Sequence, residues 1–166
     1  MNPINPTNIR TGYYPGTIGR IAEMHARYYS IHWKFGLYFE VKVASELSEF
    51  AVRFDEHRDG FWTAWASDRV EGSIIIDGIE AESEGAHLRW YIVSEKLHGH
   101  GTGNQLLSLA MQHCHVQKFP SVYLWTFAGL DSARHLYEKH GFKLAHEQHG
   151  DQWGTPVIEQ KFVCTL

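Results

Sequence analysis

Apolar positions recur along this chain at two spacings, and the change between them divides it. Ile18, Ile21, Ala22, His25, Tyr28 and Tyr29 follow i, i+3, i+4, i+7, which marks one face of an α-helix. Pro15-Gly16 breaks the chain before that helix, and a short link holding Trp33 and Gly36 leads to a second helix over 37–54. There Val41, Ala44, Leu47, Ala51 and Phe54 form the expected buried stripe. After Asp59-Gly60 the period shortens to that of strands. Phe61 to Ala66 and Val70 to Asp77 flank Ser67-Asp68-Arg69 as a hairpin. An acidic connection over 80–85 leads to a third strand, Ala86 to Val93. A helix over 101–116 buries Leu106, Leu107, Ala110, Met111 and Cys114. A strand over 122–127, a helix over 131–140 and closing strands near 142–147 and 156–163 complete the series. Helices inserted into mostly antiparallel strands indicate an α+β or three-layer α/β/α domain. Residues 1–8, rich in Asn and Pro, read as a loose N-terminal arm, and 9–166 as one domain.

Composition narrows the function classes. A chain of 166 residues is long enough for one sizeable core, and 43% hydrophobic against 20% charged residues is an ordinary globular balance. Fifteen Lys+Arg against nineteen Asp+Glu give a formal charge of −4, which supplies no polycationic surface for nucleic acid. The start, Met1 to Pro6, lacks a signal-peptide pattern, and no apolar run is long enough to cross a bilayer. Cys114 and Cys164 make no disulfide framework. The expectation is a cytoplasmic protein without nucleic-acid or membrane partners, as a monomer or a small oligomer such as a homodimer.

The richest stretch runs from the strand Leu88 to Val93 into His98-Gly99-His100-Gly101-Thr102-Gly103-Asn104, which opens a helix. Glycines allow positive φ and close approach of an anion, and the first N–H groups of a helix point at one spot. A phosphate site follows. The P-loop signature needs Lys-Ser/Thr after its last glycine, where Asn104-Gln105 stands. A dinucleotide fingerprint needs a small residue at Asn104 or Leu106, and neither is small. A plain glycine turn stays open on the loop alone.

Together with a second segment, Ala133-Arg134-His135-Leu136-Tyr137-Glu138-Lys139-His140-Gly141-Phe142, the loop resembles the GNAT superfamily of N-acetyltransferases. The strings His87 to Val93 and Leu124-Trp125-Thr126 resemble the subgroup often fused to MarR-type regulators. The resemblance implies a GNAT-like three-layer α/β fold, its mixed, mostly antiparallel sheet flanked by helices and containing a splayed strand pair. It implies acetyl-CoA as acyl donor and no metal. Main-chain groups of Tyr91, Ile92 and Val93 would pair with the pantetheine arm. The loop His98, Gly99, His100, Gly101, Thr102, Gly103 and Asn104 would hold the pyrophosphate, with Leu130 and Ala133 beside the cofactor. Tyr137 matches the family's general acid for the departing thiolate. His98 and His100 replace the usual basic residues of this loop, so part of the anion attraction depends on imidazole protonation. Leu130 replaces a frequent Asn, and Asp131 beside it is expected to cap a helix.

The acceptor is expected to be a primary amine of a small molecule or peptide. His87 stands where some relatives carry a catalytic glutamate, which makes it a candidate base; a structural role or a water relay stays open beside it. Glu82 and Glu84 are poorer candidates. Arg89 shares a side of its strand with His87 and could read a substrate carboxylate or pair with a nearby glutamate. Tyr13, Tyr14, His25, Tyr28, Tyr29 and Trp33 could form an aromatic acceptor pocket. The twelve histidines show no zinc spacing, since His113 and His115 diverge on a helix. Cys114, on a buried face, is no nucleophile. The alternatives are a non-catalytic acyl-CoA-binding sensor module, or the same fold using a longer acyl donor.

Overall fold

The computed structural model describes residues 8–166. Its elements in chain order are β1 (Asn8–Thr11), α1 (Thr17–Trp33), α2 (Leu37–Val52), β2 (Gly60–Ala66) and β3 (Arg69–Asp77). There follow β4 (Ala86–Val93), α3 (Thr102–Val116), β5 (Ser121–Phe127), α4 (Asp131–Lys139), β6 (Lys143–Gly150) and β7 (Val157–Thr165). One sheet takes all seven strands in the order β1-β2-β3-β4-β5-β7-β6. Neighbours are antiparallel except β4 and β5, which run parallel because α3 carries the chain back between them.

The sheet's two faces follow from the two-residue period of its strands. Ile74 and Ile76 of β3 point with Leu88, Val122, Leu124 and Phe162 toward Leu106, Leu107 and Ala110 of α3. Ile75, between them, points the other way, with Phe61 and Trp90, toward Ile21 of α1 and Leu47 and Phe50 of α2. Helices thus cover both faces in three layers, the architecture that the resemblance implied.

Two features depart from the sequence reading. Asn8 to Thr11 pair with Trp65 to Trp62 and form the edge strand of the sheet, so Asn8 belongs to β1 and not to an arm. The remainder of the expected arm, 1–7, lies outside the described residues. In α2 the buried stripe is Phe39, Val43, Leu47 and Phe50, whereas Val41 is 52% exposed. Only Leu47 is common to both stripes. The large rings decide the helix rotation, because burying Phe39 and Phe50 removes more apolar area than burying Val41 and Ala44. Phe50 meets Phe61 and Trp90 with ring centroids 6.4 and 5.7 Å apart.

At its centre the sheet opens. β4 and β5 pair only at Ala86↔Val122 and His87↔Tyr123, and beyond these rungs the two strands diverge. Against β3, Ser73 faces Ile92 and Ile75 faces Arg89, so Ile74 opposes two residues, Trp90 and Tyr91. This bulge puts Trp90 at φ 46°, a conformation that non-glycine residues rarely adopt. The Ser73 hydroxyl donates to the Trp90 carbonyl at 2.7 Å and fixes the kink. The bulge also reverses the strand's phase: Leu88 points toward α3, but after the kink it is Tyr91 and Val93 that pack on that side. Among the described residues, no helix is long and apolar enough to cross a membrane.

Candidate active site

The diverging strands open into a cleft of about 1230 Å³, larger than the ~300–1,000 Å³ usual for one small ligand. Elements from both faces of the sheet reach it: α1 and α2 on one side, the glycine loop and α4 on the other. A split sheet is what lets side chains from opposite layers meet. The free length of β4 past His87 leaves Tyr91, Ile92 and Val93 along the cleft without strand pairing toward β5.

At one end lies the glycine loop. Gly101 precedes α3 at φ 75° and Gly99 sits at φ 77°, and a Cβ on either would meet open space. These two glycines serve backbone conformation. Gly103 serves proximity, since a Cβ there would stand 2.8 Å from the Tyr91 hydroxyl and 3.4 Å from Leu136. The amides of Gly99, Gly101, Thr102, Gly103 and Asn104 find no backbone or side-chain acceptor among the described residues, while Gln105 N–H already bonds Gly101 O. Five free donors at a helix start fit a pyrophosphate. The His100 amide differs, donating to Leu97 O at 3.4 Å. His98 donates from Nε2 to Val93 O at 2.9 Å, so its ring ties the loop to β4. Asn104 accepts at Oδ1 from His140 Nε2 at 3.0 Å, which links α3 to the end of α4.

Tyr137 projects from α4, 6% exposed, with ring centroids 5.9 Å from Tyr91, 6.0 Å from Phe142 and 6.2 Å from Phe162. Burial, reinforced by the Tyr29 and Tyr91 hydroxyls, raises its phenol well above the usual value, so it keeps its proton throughout the neutral range. Leu130 and Ala133 line the cleft at the start of α4. Asp131 is the first helical residue and makes no side-chain cap; it places a negative charge at the positive helix end instead.

On the opposite side, His87 stacks on Tyr123 with centroids 4.4 Å apart. Burial, and secondarily the Arg89 cation, lowers its pKa to about 3, so the ring is neutral at physiological pH. His25, one of the residues expected in the aromatic acceptor pocket, is 6% exposed and lines the same cleft. Its Nδ1 lies 2.9 Å from the Ile21 carbonyl. A carbonyl only accepts, so Nδ1 carries the proton and Nε2 keeps a lone pair. Burial lowers the His25 pKa to about 4. Of the expected aromatic pocket, Tyr28, Tyr29 and Trp33 also line the cleft, but Tyr13 is 58% exposed and Tyr14 packs edge-on against Trp65.

Arg89 pairs with Glu46 of α2, and neither Glu82 nor Glu84, both exposed, reaches it. Phe39, Phe127 and Trp153 extend the aromatic wall, and Gln152 joins Trp153 from the β6–β7 turn. Glu159 accepts the Gln152 amide at 2.9 Å and holds that turn in place. Nothing in the local sequence signals this turn's role, because it reads as an exposed polar stretch. Among the described residues, no group of three or more His, Cys, Asp or Glu side chains could hold a metal ion. Cys114 is fully buried, and desolvation pushes its thiol up to about 12.

The fold is shared with many solved structures. An acetyltransferase from Streptococcus agalactiae superposes with a TM-score of 0.76 at 18% identity, over 96% of this chain and 98% of that one. The ribosomal-protein-S18-alanine N-acetyltransferase from Escherichia coli gives 0.67 at 17% identity, over 96% and 93%. A GNAT family acetyltransferase from Elizabethkingia anophelis, with acetyl-CoA bound, gives 0.67 at 12% identity, over 98% and 99%. No curated protein matches the sequence. The sequence pattern of the acetyltransferase (GNAT) family matches residues 20–142, which span the early helices, the bulged strand, the glycine loop and Tyr137. With that match the chain belongs to the GNAT acetyltransferase family, and it uses acetyl-CoA as its acyl donor.

Proposed function

We propose that this protein is an N-acetyltransferase that moves the acetyl group to a primary amine of a small molecule or peptide by direct attack in one ternary complex. The observation that carries the reading is a single cleft with five free amides at one end, an open strand edge along its length and a protonated Tyr137 within it. Bound there, the donor supplies an activated thioester. Tyr91, Ile92 and Val93 offer main-chain groups to the pantetheine arm as a further strand would. The loop amides from Gly99 to Asn104, that of His100 excepted, bind the pyrophosphate. Leu130 and Ala133 supply apolar contact beside it.

Tyr137 donates its hydroxyl proton toward the leaving sulfur. The burial that raises the phenol also disfavours a bare thiolate in the same cleft, so protonation of the sulfur accompanies its departure. The amine must attack as the neutral base. A His87 pKa of about 3 disfavours the imidazolium that a general base must become. His87 therefore acts as a hydrogen-bond acceptor that orients the neutral amine, and water carries the proton away. The reading places the protein in the cytoplasm, with acetyl-CoA in supply.

The test is free-thiol release from acetyl-CoA with polyamines, amino acids and lysine peptides, with the product identified by mass spectrometry. Amine-stimulated thiol release with a matching gain of one acetyl group supports the reading. Tight CoA binding with no amine-stimulated release refutes it and favours a sensor.

A further inference from the structure

Resting on that reading of the cleft, we propose that the acceptor amine carries a carboxylate, and that Arg89 is the residue that binds it. The Arg89 side chain is only 19% exposed, yet it lines the cleft. Its guanidinium carbon lies 4.1 Å from the centre of the Trp90 ring, so the bulge sets both side chains on the acceptor side of β4. Of its five N–H donors, one makes a hydrogen bond among the described residues, from Nη2 to Glu46.

The second nearby carboxylate is already taken. Asp77 accepts two hydrogen bonds from Arg53, at 2.9 and 2.6 Å, and stands 3.7 Å from Arg89 Nη1, beyond hydrogen-bond distance. Other covered arginines are better satisfied. Arg20 donates to Val70 O, Glu23 and Glu71, and Arg58 donates twice to Asp59. The unfilled Arg89 donors open onto the cleft, where an anionic group of a bound molecule can fill them with charge-assisted hydrogen bonds.

Charge points the same way. Lys42 donates to the other oxygen of Glu46, so two cations on the cleft wall share one carboxylate. Around Arg89 the two cations outnumber Glu46, and the other acid lining the cleft, Asp131, stands at the start of α4. A planar fork with free donors suits a carboxylate better than any neutral group. The Phe39, Phe127 and Trp153 rings line the same cleft and favour an apolar body on the same molecule. The acceptor class is thus an amino acid with an apolar side chain.

Matched pairs test this directly: L-phenylalanine against phenethylamine and L-leucine against isopentylamine, assayed by thiol release and product mass. The acid of each pair is expected to have a kcat/KM higher by about tenfold or more, the scale of one charge-assisted hydrogen bond. In Arg89→Gln the advantage should collapse to about threefold or less through KM, and Arg89→Lys should restore part of it. A CoA Kd by calorimetry equal to wild type certifies the folded variant. If Arg89→Gln does not fold, the wild-type pairs still decide. Equal or better turnover of the decarboxylated amines, or an advantage that survives in Arg89→Gln, overturns the proposal while leaving N-acetyl transfer intact. No release with any amine, despite CoA binding, overturns the enzymatic reading and this proposal with it.

Discussion

Acidification probes the buried histidines, and His25 gives the cleanest case. Its imidazole is buried in α1 with Nδ1–H spent on the Ile21 carbonyl, and its pKa falls from 6.5 to about 4. The unfolded chain takes up that proton more readily than the folded one. Stability is therefore complete above 6.5 and declines as pH drops toward about 4. At 1.36 kcal/mol per decade, the loss between about pH 7.5 and pH 5 is about 2 kcal/mol from His25 alone. His87, at about 3, adds a similar amount. Asp77 and Glu71 have lowered pKa values, and their contribution is lost only below the ordinary carboxylate range, which leaves the window from 6.5 to about 5 to the histidines. Urea denaturation of wild type and His25→Gln across this window reads the effect. The variant should lose about 2 kcal/mol less than wild type on going to pH 5, whatever its stability at neutral pH. Parallel pH dependences for the two proteins would refute a buried neutral His25.

Three further predictions use the geometry of the cleft and core. Tyr137→Phe keeps the aromatic packing around α4 and should lower kcat by about 10²–10⁴-fold with CoA affinity within about twofold, read by thiol release and calorimetry. Gly101→Ala forces a side chain to φ 75° in open space, costing about 1–2 kcal/mol and weakening CoA binding by about tenfold, whereas Gly103→Ala collides with Tyr91 and should weaken it further. Phe50→Ala removes a fully buried ring and should cost about 3–5 kcal/mol, seen in calorimetry as a Tm lowered by at least about 6 °C, with residual CoA binding below that transition.

Much of this architecture was legible because its signals are local. The glycine loop announces a helix start that can hold an anion, and the 3.6 and 2.0 periods place most elements within a residue or two. The α2 stripe was not legible by periodicity: counting apolar positions favoured Val41 and Ala44, but partner rings on β2 and β4 decided which face turned inward. β1 is four residues long, too short to set a period, and it exists because β2 offers an unpaired edge. Residue type singled out Tyr137, Tyr91 and the loop as candidates, and the structure sets them along one cleft, while their state depends on surroundings. His87 is a candidate base by type alone; burial and then the Arg89 cation lower its imidazole pKa to about 3, which no local sequence signal foretells. Arg89's partner, Glu46, is 43 residues away, and no spacing rule joins them.

The two-rung junction between β4 and β5 also bears on the lifetime of the protein. It divides the sheet into a leaf of β1 to β4 and a leaf of β5, β7 and β6, joined at the centre by Ala86–Val122 and His87–Tyr123. In the proposed binding mode, a donor laid along the gap would bridge the leaves and bind only the folded chain. Saturation at a hundredfold excess over Kd adds about 2.7 kcal/mol to folding. That is a sizeable fraction of the ~5–15 kcal/mol a domain typically has. With the donor bound as proposed, resistance to proteolysis would rise and fall with its saturation of the cleft.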